Sequence, residues 1–367
     1  MTTATAPELD MGHVFTEDLF QSGNANDPIG ALDDLVERAR VMDSHKVDFT
    51  EPAATLQMDD AFLLRVGNVA PMPLRDSAEM QMYGRLGPVA FGSGTKKALP
   101  ADYLRVLPPN IRATAVNHHL GQAKKDWFIR TYKGGCRAIL HDGFTDISNL
   151  ELLELVQEGV AARPTQDMAL VRPYLSPDSL NLRVLYKNVG GVDPRTGQRE
   201  WGWGTIISNG ETGDHKIKVM PFIQRGSCTN STVVNTDESV EFIHKGSREL
   251  KLLAIMKAIQ ESLKVGAEVL QRMIAAHSEP VPDFEDVLAG LARKYGWDKN
   301  TGSAVAVGTH GDRTIGGIVD GVTEAAWRTR VGDAQTEMEM VGGEILQASP
   351  DFFNRMGQYG RGARLGL

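Results

Sequence analysis

The sequence predicts an α+β fold in which an antiparallel β-meander packs against a long helix. Residues 182–234 contain three stretches that alternate apolar and polar side chains, which is typical of strands. Residues 247–277 carry apolar side chains at spacings of three and four, which is typical of an amphipathic helix. Because short connections join the strands, we expect an antiparallel meander that the helix covers on one face.

The predicted strands place basic side chains on one face of the meander. Arg183 and Lys187 alternate with apolar neighbours in the first strand, and Lys216 and Lys218 do so in the third. The tight-turn sequence Asn209-Gly210 is expected to connect the second strand to the third. The pattern therefore predicts one face against a core and one face that offers positive charge.

Helices and a hairpin are expected before the meander. Residues 100–126 predict two short helices divided by Pro108-Pro109, and residues 127–140 predict a strand, a turn and a second strand. Ser148 is followed three residues later by Glu151, which predicts a capping box at the start of a further helix.

The chain is expected to divide into four parts. One stretch of the chain, residues 83–92, is punctuated by Gly and Pro, and we expect it to be strand-like or irregular. The four parts are an acidic N-terminal arm with a short helix (1–60), an α+β core that contains the meander (61–280), a helical segment (281–345) and a flexible tail that contains Gly and Arg (346–367).

Composition is that of an ordinary globular protein. Of 367 residues, 41% are apolar and 23% are charged. A run of about 18 apolar residues does not occur, and the N-terminus lacks the features of a secretory signal. The two cysteines, Cys136 and Cys228, are too few for a disulfide framework. We therefore expect a cytoplasmic protein that does not associate with a membrane.

Charge is distributed unevenly along the chain. Residues 1–60 carry 3 basic and 13 acidic side chains, a balance of −10. Residues 61–260 carry 25 and 19, a balance of +6, and residues 261–367 carry 11 and 15, a balance of −4, so that the total is −8. A basic middle segment behind an acidic arm is compatible with a polyanionic partner, although charge also varies between segments by chance.

Three segments of the chain carry a family resemblance. They are Tyr132–Leu155, Trp203–Asn230 and Thr314–Ala326, and the second ends in the specific sequence Cys228-Thr229-Asn230. In these segments the chain resembles a family of phage- and plasmid-encoded proteins catalogued as domain of unknown function number 932. The family has no settled biochemical role, so the resemblance implies a context rather than a chemistry.

A second resemblance lies in the order of the elements. Three strands followed by a helix, with a basic sheet face, are similar to the core of RecT- and Redβ-like single-strand annealing proteins. Those proteins assemble into rings or filaments and hold single-stranded DNA against a basic groove. The resemblance implies DNA recombination, although a fold alone does not establish a function.

Single-stranded DNA requires cations for its phosphates and aromatic faces for its bases. The basic strand residues meet the first requirement, and Trp201 and Trp203 are candidates for the second. Alternatively, the cations form an ordinary solvated face and the tryptophans belong to the core. The predicted DNA-binding residues are Arg183, Lys187, Arg195, Arg199, Trp201, Trp203, Lys216, Lys218, Arg225, Lys124, Lys125, Arg130 and Arg137.

Candidate catalytic groups are sparse. Cys228 is more typical of a small buried side chain than of a nucleophile, and Asn117-His118-His119 lacks the spacing of a metal site. Glu211 and Asp214 in the predicted turn are more typical of local hydrogen bonds than of a cation site. The glycine-rich residues 308–313 lack the Lys-Ser/Thr of a phosphate loop. We therefore predict a protein that is not an enzyme and uses no cofactor or metal.

These observations together favour a single-stranded DNA-binding protein of phage or plasmid type. It is expected to promote strand annealing or recombination as a homo-oligomer, in a ring or a filament, because annealing requires no chemical step. The alternative is a non-enzymatic structural or interaction protein of a phage or mobile element. Assembly that DNA does not affect would favour this alternative.

Overall fold

A computed structural model describes residues 20–21, 28–86, 99–161, 168–171, 173–186, 201–225, 231–233, 239–328 and 333–361. The helices in these ranges are α1 (Pro28–Ser44), α2 (Asp76–Leu86), α3 (Ala101–Arg105), α4 (Pro109–Leu120), α5 (Asn149–Ala161), α6 (Arg248–Ala276), α7 (Phe284–Tyr295), α8 (Lys299–Gly308), α9 (Ile315–Trp327), α10 (Asp333–Gln347) and α11 (Pro350–Gly360). The strands are β1 (Phe20–Gln21), β2 (Phe49–Pro52), β3 (Gln57–Met58), β4 (Leu64–Arg65), β5 (Asp126–Tyr132), β6 (Gly135–His141), β7 (Met168–Leu170), β8 (Tyr174–Leu175), β9 (Ser179–Tyr186), β10 (Trp201–Gly210), β11 (Ile217–Arg225), β12 (Ser231–Val233) and β13 (Val240–Phe242).

Eight of the described strands form one antiparallel sheet. Its order is β1-β8-β9-β10-β11-β12, while β7 pairs with β9 and β13 pairs with β11. The strands β9, β10 and β11 are adjacent in the sheet in the same order as in the chain, and the long helix α6 follows them. The predicted α+β class with an antiparallel meander is therefore confirmed.

The helix α6 covers one face of this sheet. Ile255 and Ile259 are buried in a core that also contains Val184, Ile207 and Val219 from three neighbouring strands. The helix begins where the sequence predicts. The hydroxyl of its N-cap residue accepts a hydrogen bond from the backbone of the first turn, and this contact fixes the start of the helix. The helices α1 and α5 complete this layer.

The opposite face of the sheet is also buried, so the prediction of an exposed basic face is wrong for the described strands. Leu185, Ile206 and Met220 form a core with Trp327 at the end of α9 and Met340 on α10. The sheet is thus the middle of three layers. Alternation of side chains distinguishes two faces of a strand, but it does not tell whether the second face meets water or a helix from much later in the chain.

A smaller sheet, β2-β5-β6, packs beside the main one. The strands β5 and β6 form the predicted hairpin, and their inward side chains Ile129 and Ile139 are buried together with Met82 of α2 and Val116 of α4. The two predicted short helices are present as α3 and α4, with Pro109 as the first residue of α4. The sequence-based assignment of this region is confirmed.

The predicted capping box at the start of α5 is also present. The backbone N–H of Ser148 donates to Glu151 Oε2 over 3.0 Å, and the backbone N–H of Glu151 donates to Ser148 Oγ over 3.2 Å. Two of the helix's unpaired N–H groups are satisfied in this way. The helix therefore has a fixed starting point beside the site described below.

The turn between β10 and β11 lies later than predicted. Asn209 and Gly210 are still paired with β9, and the chain reverses direction over residues 211–216. A Cβ atom at Gly210 would lie 2.7 Å from Cβ of His215, and Gly213 has a φ of +76°. The glycines are thus required for close approach and for a left-handed conformation, rather than for a two-residue turn.

The predicted flexible tail is wrong for residues 350–360, which form α11 against α7. A Cβ atom at Gly290 of α7 would lie 2.0 Å from the carbonyl oxygen of Met356, so the two helices are in backbone contact. Phe353 is buried in the same interface. Residues 83–86 similarly end the helix α2 instead of being irregular. Residues 1–19 of the predicted arm, 87–92 and 362–367 lie outside the described residues.

Candidate nucleic-acid interface

A buried carboxylate holds the end of the β10–β11 hairpin. Glu211 is fully buried, and its Oε2 lies 2.8 Å from Arg137 Nη2 of β6 and 2.8 Å from Lys46 Nζ, which follows α1. The backbone N–H of Asn149 donates to Glu211 Oε1 over 2.7 Å, at the positive end of the α5 dipole. The main sheet, the small sheet and two helices therefore meet at one carboxylate.

Arg130 of β5 completes this cluster. Its Nε donates to Asp48 Oδ2 over 2.9 Å, its Nη1 donates to the Glu211 carbonyl oxygen over 2.8 Å, and its Nη2 lies 2.8 Å from Asp146 Oδ1. Burial lowers the pKa of Arg130, but the carboxylates of Glu211, Asp146 and Asp48 raise it overall. The cations and carboxylates of the cluster pair with one another, and these contacts hold the surrounding turns together.

A cleft of about 560 Å³ lies beside this cluster. Its walls are the β10–β11 turn at residues 213–216, the residues 140–144 at the end of β6, and residues 243–245 after β13. Leu140 and Phe144 form an apolar floor, and Ile243, which is 57% exposed, also lines the cleft. We call this the hairpin-end cleft. The cationic or titratable basic side chains that line it are Arg85, His141, His215, Lys216, His244 and Lys245, and the acidic ones are Asp142 and Asp214.

Stacked aromatic rings form the centre of the floor. The ring centroids of Phe144 and His244 lie 4.5 Å apart with an interplanar angle of 10°, and the ring centroids of Phe128 and Phe144 lie 6.2 Å apart. Burial is the largest cause of the lowered pKa of His244, while its hydrogen bond to the Thr145 carbonyl opposes the shift. The His244 ring is therefore neutral at neutral pH and behaves as part of the apolar floor.

Arg85 at the end of α2 is the most unusual cation of the cleft. Its side chain is half-buried, burial lowers its pKa, and its Nη1 donates to the Gln81 carbonyl oxygen over 3.4 Å. Its Nε is buried without a hydrogen-bond partner among the described residues. Within the described part of the chain, no carboxylate lies within ion-pair distance of its guanidinium. A partly desolvated cation of this kind attracts an anionic ligand.

Each acid of the cleft lies beside a histidine, and Lys216 pairs with Glu241, so Arg85 and Lys245 are the strong cations of the cleft without an ion pair to a described residue. Asp142 Oδ1 lies 2.6 Å from His141 Nδ1, and Asp214 Oδ2 lies 3.6 Å from His215 Nε2. Lys245 is exposed and makes no ion pair with a described residue. A rim of mixed charge that includes the unpaired cations Arg85 and Lys245, around an apolar floor, suits a ligand with anionic groups and flat apolar surfaces, such as a nucleotide.

Arg183 does not contact solvent, contrary to the sequence-based prediction. Its side chain is 1% exposed, and its Nη1 donates to Glu339 Oε1 of α10 over 2.8 Å. Gln335 donates to the same carboxylate oxygen over 2.9 Å, and Thr336 Oγ1 lies 3.3 Å from Arg183 Nη2. Arg183 is thus part of a buried polar contact between the sheet and α10, where DNA has no access.

Arg130 and Arg137 are likewise buried in the Glu211 cluster, with 1% and 0% of their side chains exposed. Their prediction as DNA-binding residues is wrong, because each faces carboxylates inside the protein. The small sheet packs against the main sheet through the face that carries these arginines.

The remaining described candidates are scattered. Lys216 is half-exposed and pairs with Glu241 over 2.8 Å, while Lys218 is mostly buried with its Nζ 3.9 Å from the same carboxylate group. Lys124 and Lys125 are exposed beyond α4. Trp203 packs against the core formed by α6, α7 and α9. Only Lys216 of these residues lines the hairpin-end cleft.

Several candidates cannot be placed. Lys187, Arg195 and Arg199 lie outside the described residues, as do the side chains of Trp201 and Arg225. Cys228 also lies outside them. Arg85 and Lys245 were missed by sequence reasoning, since a cation that lacks an acidic partner in the fold has no signature in the sequence.

The other groups that the sequence singled out have structural partners. The Asn117 side chain accepts a hydrogen bond from the backbone N–H of Met58 over 2.7 Å and donates to its carbonyl over 2.8 Å. Glu211 points away from Asp214 into its cluster. Across the described ranges, no three His, Cys, Asp or Glu side chains are placed to hold a metal ion. No described helix is both long and apolar enough to cross a membrane.

Comparison with protein-family models, with curated proteins and with solved structures returns no significant match. The resemblance to the phage- and plasmid-encoded family and to the annealing proteins therefore stays a prediction from the residues quoted above.

Proposed function

We propose that this protein binds single-stranded DNA, with the hairpin-end cleft as a contact site. The observation that supports this is the pairing of an apolar floor with cations that lack acidic partners among the described residues. Phosphates require the cations, and an unstacked base requires the apolar surface. The proposal keeps the nucleic-acid partner predicted from the sequence but moves its contact site from the strand face to the end of the hairpin.

The cleft favours single strands over duplex. In a duplex the bases are stacked and paired, so their flat faces cannot reach a concave apolar floor such as that around Phe144. A volume of about 560 Å³ is in the range of small-ligand sites and fits individual nucleotides rather than a double helix. Promotion of annealing or recombination by a homo-oligomer of phage or plasmid type is the wider form of this proposal, and it requires no catalytic group.

Fluorescence anisotropy with a labelled single-stranded oligonucleotide tests the proposal. We expect salt-sensitive binding of the wild-type protein and weaker binding of a duplex of the same sequence. Circular dichroism should be recorded alongside, so that only folded protein is compared. Unchanged anisotropy at low ionic strength would contradict the proposal and would favour the structural or interaction role.

A further inference from the structure

His244 joins two walls of the hairpin-end cleft. Its ring stacks on Phe144 with the centroids 4.5 Å apart, and its Nδ1 lies 3.0 Å from the Thr145 carbonyl oxygen. The backbone N–H of Thr145 donates to the His244 carbonyl oxygen over 2.9 Å, and Phe144 forms a β-bridge with Lys245. The segment after β6 and the segment after β13 are therefore held together around one imidazole ring.

The His244 ring fits this position in its neutral form. The residue is 9% exposed, and a proton on Nδ1 allows the ring to donate to the Thr145 carbonyl. The other ring nitrogen, Nε2, is buried and has no hydrogen-bond partner among the described residues. A second proton would place a charged N–H at Nε2, away from water and from any acceptor of the described residues.

Burial and the nearest charges together disfavour a second proton on the ring. Burial is the largest cause of the lowered pKa of His244, Arg130 on β5 and Lys251 on α6 lower it further, and Glu211 acts in the opposite direction. Lys251 is close because its Nζ lies 3.4 Å from Thr145 Oγ1. The other ionisable groups of the cleft are partly or fully exposed, so water screens their effect on the ring; they are Arg85, His141, Asp142, Asp214, His215, Lys216 and Lys245.

We propose that protonation of His244 releases its ring from the floor and separates the two walls, so that the cleft holds single-stranded DNA at neutral pH and releases it in mildly acidic solution. This inference rests on the proposed function, since release requires that DNA binds in the cleft. Because the closed cleft favours the neutral ring, its stability is complete above the ordinary histidine pKa of about 6.5 and is lost as the pH falls below that value. At about pH 5.5, one unit lower, the equilibrium shifts towards the open cleft by up to about tenfold.

The pH dependence of oligonucleotide affinity tests the inference. Between about pH 7.5 and 5.5 the affinity of the wild-type protein should fall by up to about tenfold. Protonation of exposed histidines adds positive charge and has the opposite effect on DNA binding, so a fall in affinity is specific to the opening of the cleft. Circular dichroism at each pH shows that folded protein is compared.

Two variants remove the titrating group in different ways. His244→Phe keeps an aromatic ring against Phe144, and His244→Asn keeps a donor for the Thr145 carbonyl. In both variants we expect the affinity to stay constant or to rise as the pH falls. The control His118→Asn removes an exposed histidine of α4 and should follow the wild-type protein.

An NMR titration without DNA separates failure of this inference from failure of the proposed function. The His244 ring resonances and the backbone amide resonances of residues 213–216 and 243–245 should shift together, with a midpoint below about 6.5. A ring that stays neutral down to about pH 5, or one that titrates without a change at these amides, would overturn the inference whether or not DNA binds.

The binding data have two further outcomes. Equal pH dependence of affinity in the wild-type protein and the folded His244 variants would overturn the inference, while binding at neutral pH would leave the proposed function in place. Absence of DNA binding at neutral pH would reject the proposed function and DNA release with it, and the NMR titration would then test the protonation step by itself.

Discussion

The Glu211 carboxylate, directly after β10, lies 2.8 Å from the Arg137 guanidinium on β6, and both side chains are fully buried. The two residues are 74 positions apart, and this contact joins the main sheet to the small one. Two of the three walls of the hairpin-end cleft, residues 140–144 and 213–216, lie at or just after the ends of these two strands. The cluster therefore positions the cleft without taking part in it.

Replacing Glu211 by Gln should destabilise the protein strongly. The amide leaves the buried cations Lys46, Arg130 and Arg137 without their shared counter-charge, which costs about 3 to 5 kcal/mol of the free energy of unfolding. Urea denaturation measures the loss. The control is Glu241→Gln, which removes an exposed pair with Lys216 and should cost less than about 1 kcal/mol. Equal losses in the two variants would contradict the structural role of the cluster.

Glu211 should also contribute to acid unfolding. Burial alone would raise its pKa, but Lys46, Arg137 and Arg130 outweigh burial and lower the pKa from 4.5 to about 2. Because the folded-state pKa is depressed, the contribution of Glu211 to stability is complete above its unfolded value and is lost as pH falls from about 4.5 towards 2. This loss is on the order of 3 kcal/mol.

Measuring the free energy of unfolding as a function of pH tests whether the stability that Glu211 contributes is lost as the pH falls. The difference between the wild-type protein and Glu211→Gln should be constant between pH values near neutrality and about 5, and it should narrow as the pH falls further. A difference that stays constant to the lowest pH at which the protein folds would show that Glu211 is not paired as described.

Arg183 should affect stability rather than DNA affinity. Arg183→Met leaves Glu339 buried without its cation, and we expect a loss of about 3 to 5 kcal/mol. The double variant Arg183→Met/Glu339→Leu replaces both charges by apolar groups and should recover most of the loss. Below the unfolding transition, both variants should bind oligonucleotide as the wild-type protein does. A selective loss of DNA affinity in folded Arg183→Met would restore the strand face as the binding site.

The contact of α11 with α7 should be sensitive to a single methyl group. Gly290→Ala would place Cβ 2.0 Å from the Met356 carbonyl oxygen, so the helices must separate, at a cost of about 1 to 3 kcal/mol. The control Gly84→Ala lies in α2, where no described atom outside the neighbouring helix backbone is within 4 Å of the added Cβ, and it should stabilise by up to about 1 kcal/mol. Thermal unfolding distinguishes the two. An unchanged Tm for Gly290→Ala would mean that α11 does not dock.

Local sequence patterns predicted much of this fold. The hydroxyl and carboxylate of Ser148 and Glu151 are three residues apart, and their reciprocal hydrogen bonds depend only on the first turn of α5. The meander and the α6 helix were predictable for the same reason, since their periodicities follow from backbone geometry. Such features require no knowledge of distant parts of the chain.

The candidate site depends on distant contacts, and here the sequence was insufficient. Arg183 and Glu339 are 156 positions apart, and nothing in the alternation of β9 indicates that α10 supplies a carboxylate. Arg85 is the opposite case. What matters about it is that no carboxylate of the described residues lies beside it. A basic side chain in a strand is equally compatible with a solvated face and with a buried ion pair, so only the packing separates them.

We propose that Arg85 and Lys245 contact DNA phosphates in the hairpin-end cleft. This claim is tested most directly by the salt dependence of oligonucleotide affinity in Arg85→Gln/Lys245→Gln, with Lys257→Gln/Lys299→Gln on the exposed faces of α6 and α8 as the control of equal charge. The slope of log K against log salt should become shallower by about 1.4 in the cleft variant, because two phosphate contacts are lost, and it should stay near the wild-type value in the control. Equal slopes in the wild-type protein and the cleft variant, or equal changes in both variants, would contradict the claim.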